Sequence, residues 1–187
     1  MKMVVLDRDG VINQDSEDYI RSCGEWQPIP GSIEAIARLS KAGYWIAVAT
    51  NQSGIGQGLF SLQTLNAVHQ KMIRCVLDAG GAIHLIVHCP HRSEDGCSCR
   101  KPHTGLLLKI QRTLRIKMTS QWLVGDRLSD LEAGKKLNMN TALVKTGKGE
   151  RTLSQLPHKH QLVFDNLAHF VDALLIGQLN DYTAQAG

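Results

Sequence analysis

Short apolar runs alternate with longer stretches of helical period along almost the whole chain, and that alternation narrows the possible folds more than any other feature. The runs Met3 to Leu6, Tyr44 to Ala49, Ile83 to His88, Trp122 to Val124, Thr141 to Val144 and Leu162 to Phe164 have the length and apolarity of buried strands. Between them, Ser32 to Ala42 places Ile33, Ile36, Ala37 and Leu39 three to four residues apart, which makes one buried helical stripe ended by Gly43. Ser61 opens a second helix, with Leu62, Leu65, Val68, Met72, Cys75, Val76 and Ala79 on its inner side and Gly80-Gly81 as its stop. Further helices fit Gly105 to Arg115, Ser129 to Leu137 and Leu167 to Leu175. The order predicts an α/β fold: a Rossmann-like open, mostly parallel sheet with helices on both faces.

Composition bounds the organisation. With 187 residues, 43% hydrophobic and 20% charged, the chain suits one packed domain spanning residues 1–187. No Pro-, Gly- or Ser-rich linker divides it, no insertion is large enough for a cap domain, and the polar tail 178–187 is expected to fray. No run of about 18 apolar residues could span a bilayer. Two acidic residues by position 9 argue against a signal peptide, so a cytoplasmic protein is expected. The net charge of +4 comes from 21 Lys+Arg against 17 Asp+Glu, scattered rather than gathered into a basic arm, which argues against a nucleic-acid partner.

Chemistry gathers where strands end. Asp7 and Asp9 follow the first run, Thr50-Asn51-Gln52-Ser53 the second, and Gly125-Asp126 the fourth; in open parallel sheets ligands bind beyond the carboxyl ends of the strands, so these clusters should converge. A carboxylate needs no base to attack phosphorus, and it forms an acyl-phosphate that water removes. A second carboxylate nearby is expected to be pushed toward its protonated form, which would let Asp9 protonate a leaving oxygen and then take a proton from water. Asp126 could join Asp7 and a backbone carbonyl around Mg²⁺, with Asp130 as support. Arg100-Lys101 would neutralise an anionic phosphoryl group. Gly54-Ile55-Gly56-Gln57-Gly58 departs from a dinucleotide fingerprint at Leu59 and reads as a flexible loop bordering the crevice.

Five cysteines are an odd number, and Cys89, Cys97 and Cys99 crowd together with His91. Four such donors in one short loop match a closed tetrahedral Zn²⁺ site, which would be structural because the protein fills every position. Cys23 and Cys75 stand apart and read as a loop thiol and a small buried hydrophobe.

Asp7-Arg8-Asp9-Gly10-Val11, Thr50-Asn51-Gln52-Ser53-Gly54, Arg100-Lys101-Pro102 and Gly125-Asp126-Arg127-Leu128-Ser129-Asp130 together resemble the four ordered motifs of the haloacid dehalogenase superfamily of phosphatases. The zinc loop directly before Arg100 is similar to the branch that holds sugar-bisphosphate and histidinol phosphatases, and Thr50 to Ile55 with Gly58 is nearer the heptose-bisphosphate members. The resemblance implies a capless Mg²⁺-dependent phosphatase acting on a small phosphorylated sugar for cell-envelope precursors, as a monomer away from membranes. It further implies Asp7 as nucleophile, Asp9 as acid/base, Thr50 and Lys101 as phosphoryl stabilisers, and Asp7, Asp9 and Asp126 at Mg²⁺. Substrate contacts would come from Arg8, Asp15, Ser16, Glu17, Asp18, Asn51, Gln52, Ser53, Arg100 and Arg127. Two departures from the branch stand out: only residues 92–96 separate His91 from Cys97, and Arg127 occupies a position where Lys is frequent. Loops from Gln14 to Gln27 and Gly54 to Phe60, with the zinc loop, would then shield the phosphate from bulk water.

Overall fold

Every residue of Met3–Leu6 is buried, and this strand, β1, lies at the middle of the sheet. The computed structural model describes residues 1–156 and 161–179. The strands are β1, β2 (Trp45–Asn51), β3 (Leu85–Cys89), β4 (Trp122–Gly125), β5 (Asn140–Val144) and β6 (Leu162–Phe164), all parallel in the order β3-β2-β1-β4-β5-β6. The order reverses direction at β1, which leaves a crevice beyond the carboxyl ends of β1, β2 and β4.

Side chains of successive strand residues point to opposite faces, so one apolar strand feeds two cores. Val4 and Leu6 pack with α1 (Ser32–Lys41), α2 (Leu62–Asp78) and α6 (Leu167–Leu175), through Ile36, Leu39, Met72, Val76, Phe170 and Leu174. Met3 and Val5 face the other way, onto Leu106, Leu107 and Ile110 of α3 (Gly105–Leu114) and Ala133 of α4 (Leu128–Lys135). Cys23 and Cys75 are both half-buried against the first of these cores.

Several boundaries differ from the sequence pattern for local reasons. β2 and β3 continue to Asn51 and Cys89 because Thr50 pairs with His88 and Asn51 with Cys89, which carries polar site residues on the ladder itself. Ser61 caps α2, its Oγ accepting from the Thr64 N–H at 3.0 Å. That start leaves Leu62 in the first turn, 50% exposed, and not on the expected inner stripe; His69 is buried there instead. A short helix, α5 (Gly149–Gln155), escapes the sequence reading, since only Gly149 and Thr152 of it are buried and no apolar stripe marks it. The expected fraying from 178 is corrected at its first residues: the Gln178 N–H returns to the Ala173 carbonyl and Leu179 is only 4% exposed in the core. Residues 180–187 of that tail lie outside the described residues. Among the described residues no helix is long and apolar enough to cross a membrane.

Leu179→Ala should lower the unfolding free energy by about 2 kcal/mol, the low end for a buried leucine because a site near the chain end can partly collapse. A urea titration with an unchanged slope and an earlier midpoint is the expected result; an unmoved midpoint would remove Leu179 from the core.

Candidate active site

Asp7 continues the ladder one residue past β1, its N–H donating to the Val124 carbonyl at 2.9 Å. The chain then turns through Gly10 at φ +82°, where a Cβ would lie 2.2 Å from Asp126 Oδ2. Glycine thus permits the loop after β1 to close directly over the loop after β4. The three clusters expected to meet do meet: Asp7, Asp9 and Thr50 to Ser53 line a cavity of about 710 Å³, and the wholly buried Asp126 brings a carboxylate oxygen within 4.8 Å of one on Asp7.

Lys101 sits at the base of this cavity, 2% exposed. Its ammonium is 3.0 Å from Asp7 Oδ1 and 2.6 Å from Asp130 Oδ1, and it donates to the Ala49 carbonyl at 2.6 Å. Burial pulls its pKa down, but Asp130 and Asp7 outweigh that and push it up to about 12. Asn51 fixes the Lys101 backbone from both sides, accepting from its N–H and donating to its carbonyl, each at 3.1 Å. Asp7 Oδ1 also accepts from the Arg8 N–H at 2.7 Å, while Oδ2 has no hydrogen bond among the described residues.

Carboxylate oxygens of Asp7, Asp126 and Asp130 lie within 4.8 Å of one another. Burial, opposed by Lys101 and reinforced by Asp130 and Asp9, raises Asp7 to about 7. Burial with Asp7 and Asp130 raises Asp126 to about 8. Asp126 Oδ2 accepts from the Lys148 N–H at 2.7 Å, but its buried Oδ1 has no hydrogen-bond partner. Crowded buried carboxylates with an orphaned oxygen are a fitting donor set for a hard divalent cation such as Mg²⁺.

Asp9 corrects the expectation made for it. Arg8 Nε and Nη2 grip its two oxygens at 2.8 to 3.0 Å, while Asn13 and Gln52 donate to it at 2.9 and 2.8 Å. Burial would raise its pKa, yet Arg8 and these amides together hold it below the ordinary carboxylate range. Its side chain is drawn out of the group formed by Asp7, Asp126 and Asp130, so among carboxylates only Asp7 and Asp126 of the expected Mg²⁺ set come together. Arg8 is likewise reassigned: at 0% exposure it cannot touch substrate. Asp18 is exposed and off the cavity wall.

The other expected contacts line the cavity: Asp15, Ser16 and Glu17, Thr50 to Ser53, Arg100 and Arg127. Across the mouth, Arg127 Nη2 meets Asp15 Oδ2 at 3.1 Å, and Lys148 Nζ pairs with Glu17 and approaches Asp15 at 3.8 Å. Lys148, Arg151 and Thr152, from α5 and the residue before it, also line the wall and were missed with that helix. Their signal was the strand-end rule applied once more, since they follow β5.

The four donors of the cysteine loop converge. Cys99 Sγ is 2.9 Å from Cys89 Sγ and 3.5 Å from Cys97 Sγ, and His91 Nδ1 is 3.2 Å from Cys99 Sγ. Three sulfurs and one imidazole nitrogen within reach of a single point fit tetrahedral Zn²⁺. The glycine-rich loop is fastened to this one, because the Gly56 N–H donates to the Pro90 carbonyl at 3.0 Å and a Cβ on Gly56 would lie 2.7 Å from that oxygen.

Residues 98–170 match the family model described as HAD-hydrolase-like. The D-glycero-beta-D-manno-heptose-1,7-bisphosphate 7-phosphatase of Pseudomonas aeruginosa is 51% identical over 173 residues, 92% of this chain and 97% of that protein. The chain belongs to the haloacid dehalogenase-like phosphatases. The correspondingly named protein of Neisseria meningitidis serogroup B is 50% identical over 91% of this chain and 92% of its own. Among solved structures, D,D-heptose 1,7-bisphosphate phosphatase from B. bronchiseptica, complexed with magnesium and phosphate, superposes with a TM-score of 0.90 at 44% identity, covering 94% of this chain and 99% of that one. Membership in this phosphatase family makes the chain a phosphoric monoester hydrolase.

The carboxylate cluster makes a pH prediction for metal-free protein. Above about pH 6.5 the unfolded carboxylates have already lost their protons, whereas Asp7 and Asp126 still lose theirs near 7 and 8 in the fold, so rising pH removes stability. The thermal midpoint with chelator present should fall from about pH 6.5 to about pH 8.5. Asp126→Asn should flatten the slope, and a parent midpoint that rises over this range would contradict the charge crowding.

Proposed function

We propose that this phosphatase removes the C7 phosphate of D-glycero-D-manno-heptose 1,7-bisphosphate, releasing heptose 1-phosphate for the nucleotide-activated heptoses of cell-envelope lipopolysaccharide. The reading makes it a cytoplasmic monomer acting on a small phosphorylated sugar. The observation that carries it is Asp7 with one oxygen tied to the buried Lys101 and the other free, on the wall of a cavity lined by polar and cationic side chains. The names of relatives near 50% identity supply the sugar.

In the first step Asp7 Oδ2 attacks phosphorus, the bond from phosphorus to the C7 oxygen breaks, and that oxygen leaves with the electron pair and a proton that Asp9, anionic in the resting site, takes from solvent as the phosphate's negative charge draws near. Water then attacks the aspartyl-phosphate, Asp9 takes its proton, and the phosphorus–Oδ2 bond breaks to free Asp7 and inorganic phosphate. The ion pair with Arg8 favours the anionic Asp9 that this second step needs. Thr50 and the Lys101 ammonium face the phosphoryl oxygens. Magnesium, held by Asp7 and Asp126 with Asp130 behind them, would supply positive charge that offsets their repulsion of the phosphate. Arg100, Arg127, Asn51, Gln52, Ser53, Asp15, Ser16 and Glu17 offer charge and hydrogen bonds to a polyhydroxylated bisphosphate. Zinc, on Cys89, His91, Cys97 and Cys99, would hold the cavity-lining loop 92–96 and the start of Arg100-Lys101 in place.

Phosphate release from sugar bisphosphates, sugar monophosphates, histidinol phosphate and 5′- or 3′-phosphorylated oligonucleotides tests the reading, which requires the heptose bisphosphate to have the highest kcat/KM. Asp7→Asn should abolish turnover, whereas Asp9→Asn should retain a trace after losing roughly 10²- to 10⁴-fold. Equal residual rates in the two variants would remove the covalent step.

Zinc stripping, verified by metal analysis, should leave the sheet folded while kcat falls about 10²-fold, because Lys101 follows the ligand Cys99 by two residues and small misplacements are costly. Unchanged kcat in zinc-free protein would separate the cluster from the chemistry.

A further inference from the structure

His69 takes part in none of these steps, yet it is built into the site from behind. On α2 it falls between Leu65 and Met72, on the face that packs the core, and is 6% exposed. Packing alone would fill such a position with an aliphatic side chain. Its Nε2 instead lies 3.4 Å from Arg8 Nη1.

Arg8 is wholly buried, and a guanidinium only donates. The imidazole nitrogen facing it is therefore an acceptor, which makes His69 neutral with Nε2 unprotonated. Burial, with Arg8 and the nearby His88, lowers His69 to about 3, so this form holds throughout the neutral range. The opposite edge of the same guanidinium, Nε and Nη2, grips both oxygens of Asp9. Because the guanidinium is one rigid plane, an acceptor on Nη1 orients the edge presented to Asp9. Asn13 and Gln52 also hold Asp9, but among its hydrogen-bond partners only Arg8 brings charge.

We propose that His69 is a positioning residue for proton transfer: through Arg8 it sets the placement of the Asp9 carboxyl group. The inference rests on the reading of Asp9 as acid/base. It separates His69 from residues that merely fill the core, because its effect must follow the demand for a proton by the leaving group.

His69→Phe keeps an aromatic ring and removes the acceptor; His69→Gln puts an amide oxygen where Nε2 stood. Each is assayed for kcat/KM with a sugar phosphate, whose alkoxide needs protonation, and with p-nitrophenyl phosphate, whose phenolate leaves without it. His69→Phe should lose about tenfold or more on the sugar phosphate, a part of the roughly 10²- to 10⁴-fold that acid–base transfer supplies, and under about threefold on the nitrophenyl ester. His69→Gln should recover most of the loss. If His69→Phe does not fold, His69→Asn serves in its place, since its shorter amide reaches only the Nδ1 position. Equal losses on the two esters, a Gln variant no better than the acceptor-free one, or no loss at all would overturn the proposal. Failure of the parent to release phosphate from either ester would overturn the phosphatase reading beneath it.

Discussion

The ammonium of Lys101, enclosed by Asp7, Asp130 and the Ala49 carbonyl, is the contact on which the rest of the site depends. Buried carboxylates that close together repel, and removing one partner of a buried pair typically costs several kcal/mol because the other charge is stranded. One ammonium offsets only part of the charge of Asp7, Asp126 and Asp130. The remainder is what makes the pocket receptive to a divalent cation and, through it, to an anionic phosphate. The folding cost of this crowding is carried by the apolar strands β1, β2 and β4, whose side chains fill two cores and leave the strand ends no freedom to separate.

Two carboxylates two residues apart are tuned in opposite directions. Asp7 faces the acidic cluster and is raised; Asp9 faces a guanidinium and two amides and is lowered. In the resting site this favours the base role of Asp9 over its acid role, and a cation beside Asp7 would restore the anion that its attack requires. The alternation of the turn after β1 puts the two side chains into different surroundings, and Arg8, lying between them in sequence, donates its backbone N–H to one and its side chain to the other.

Much of this was legible from residue order. The sheet, its parallel sense, five of the six α-helices among the described residues and the convergence of Asp7, Thr50 and Asp126 follow from apolar periodicity and from the rule that parallel strands bind ligands at their carboxyl ends, while Lys101 was drawn in by the need to neutralise a phosphoryl group and by the family resemblance. The cysteine and histidine spacing pointed to one donor cluster, and the donors do converge. What remained hidden depends on side-chain partners. A sequence cannot tell that Arg8 turns inward onto Asp9 rather than out to substrate, or that His69 replaces Leu62 on the buried face of α2. Like-charge repulsion alone suggested a raised Asp9; the guanidinium beside it reverses the sign. The helix carrying Arg151 and Thr152 was invisible because seven residues with two buried positions make no periodic signal.

Asn51 makes with the Lys101 backbone the same pair of bonds that one peptide unit makes with another. The chain leaving β3 is thus fastened at both feet: the first by the pairing of Cys89 with Asn51, the second by the amide of that same asparagine. Everything between is an excursion whose ends are tied to one residue of β2 and whose return to Lys101 is set by the convergence of Cys89, His91, Cys97 and Cys99. Residues 92–96, which include Arg92, Ser93 and Gly96 on the cavity wall, can therefore change in length or sequence without shifting the register of Lys101. The architecture separates a segment free to diversify its choice of sugar from an anchorage that keeps the phosphoryl chemistry constant.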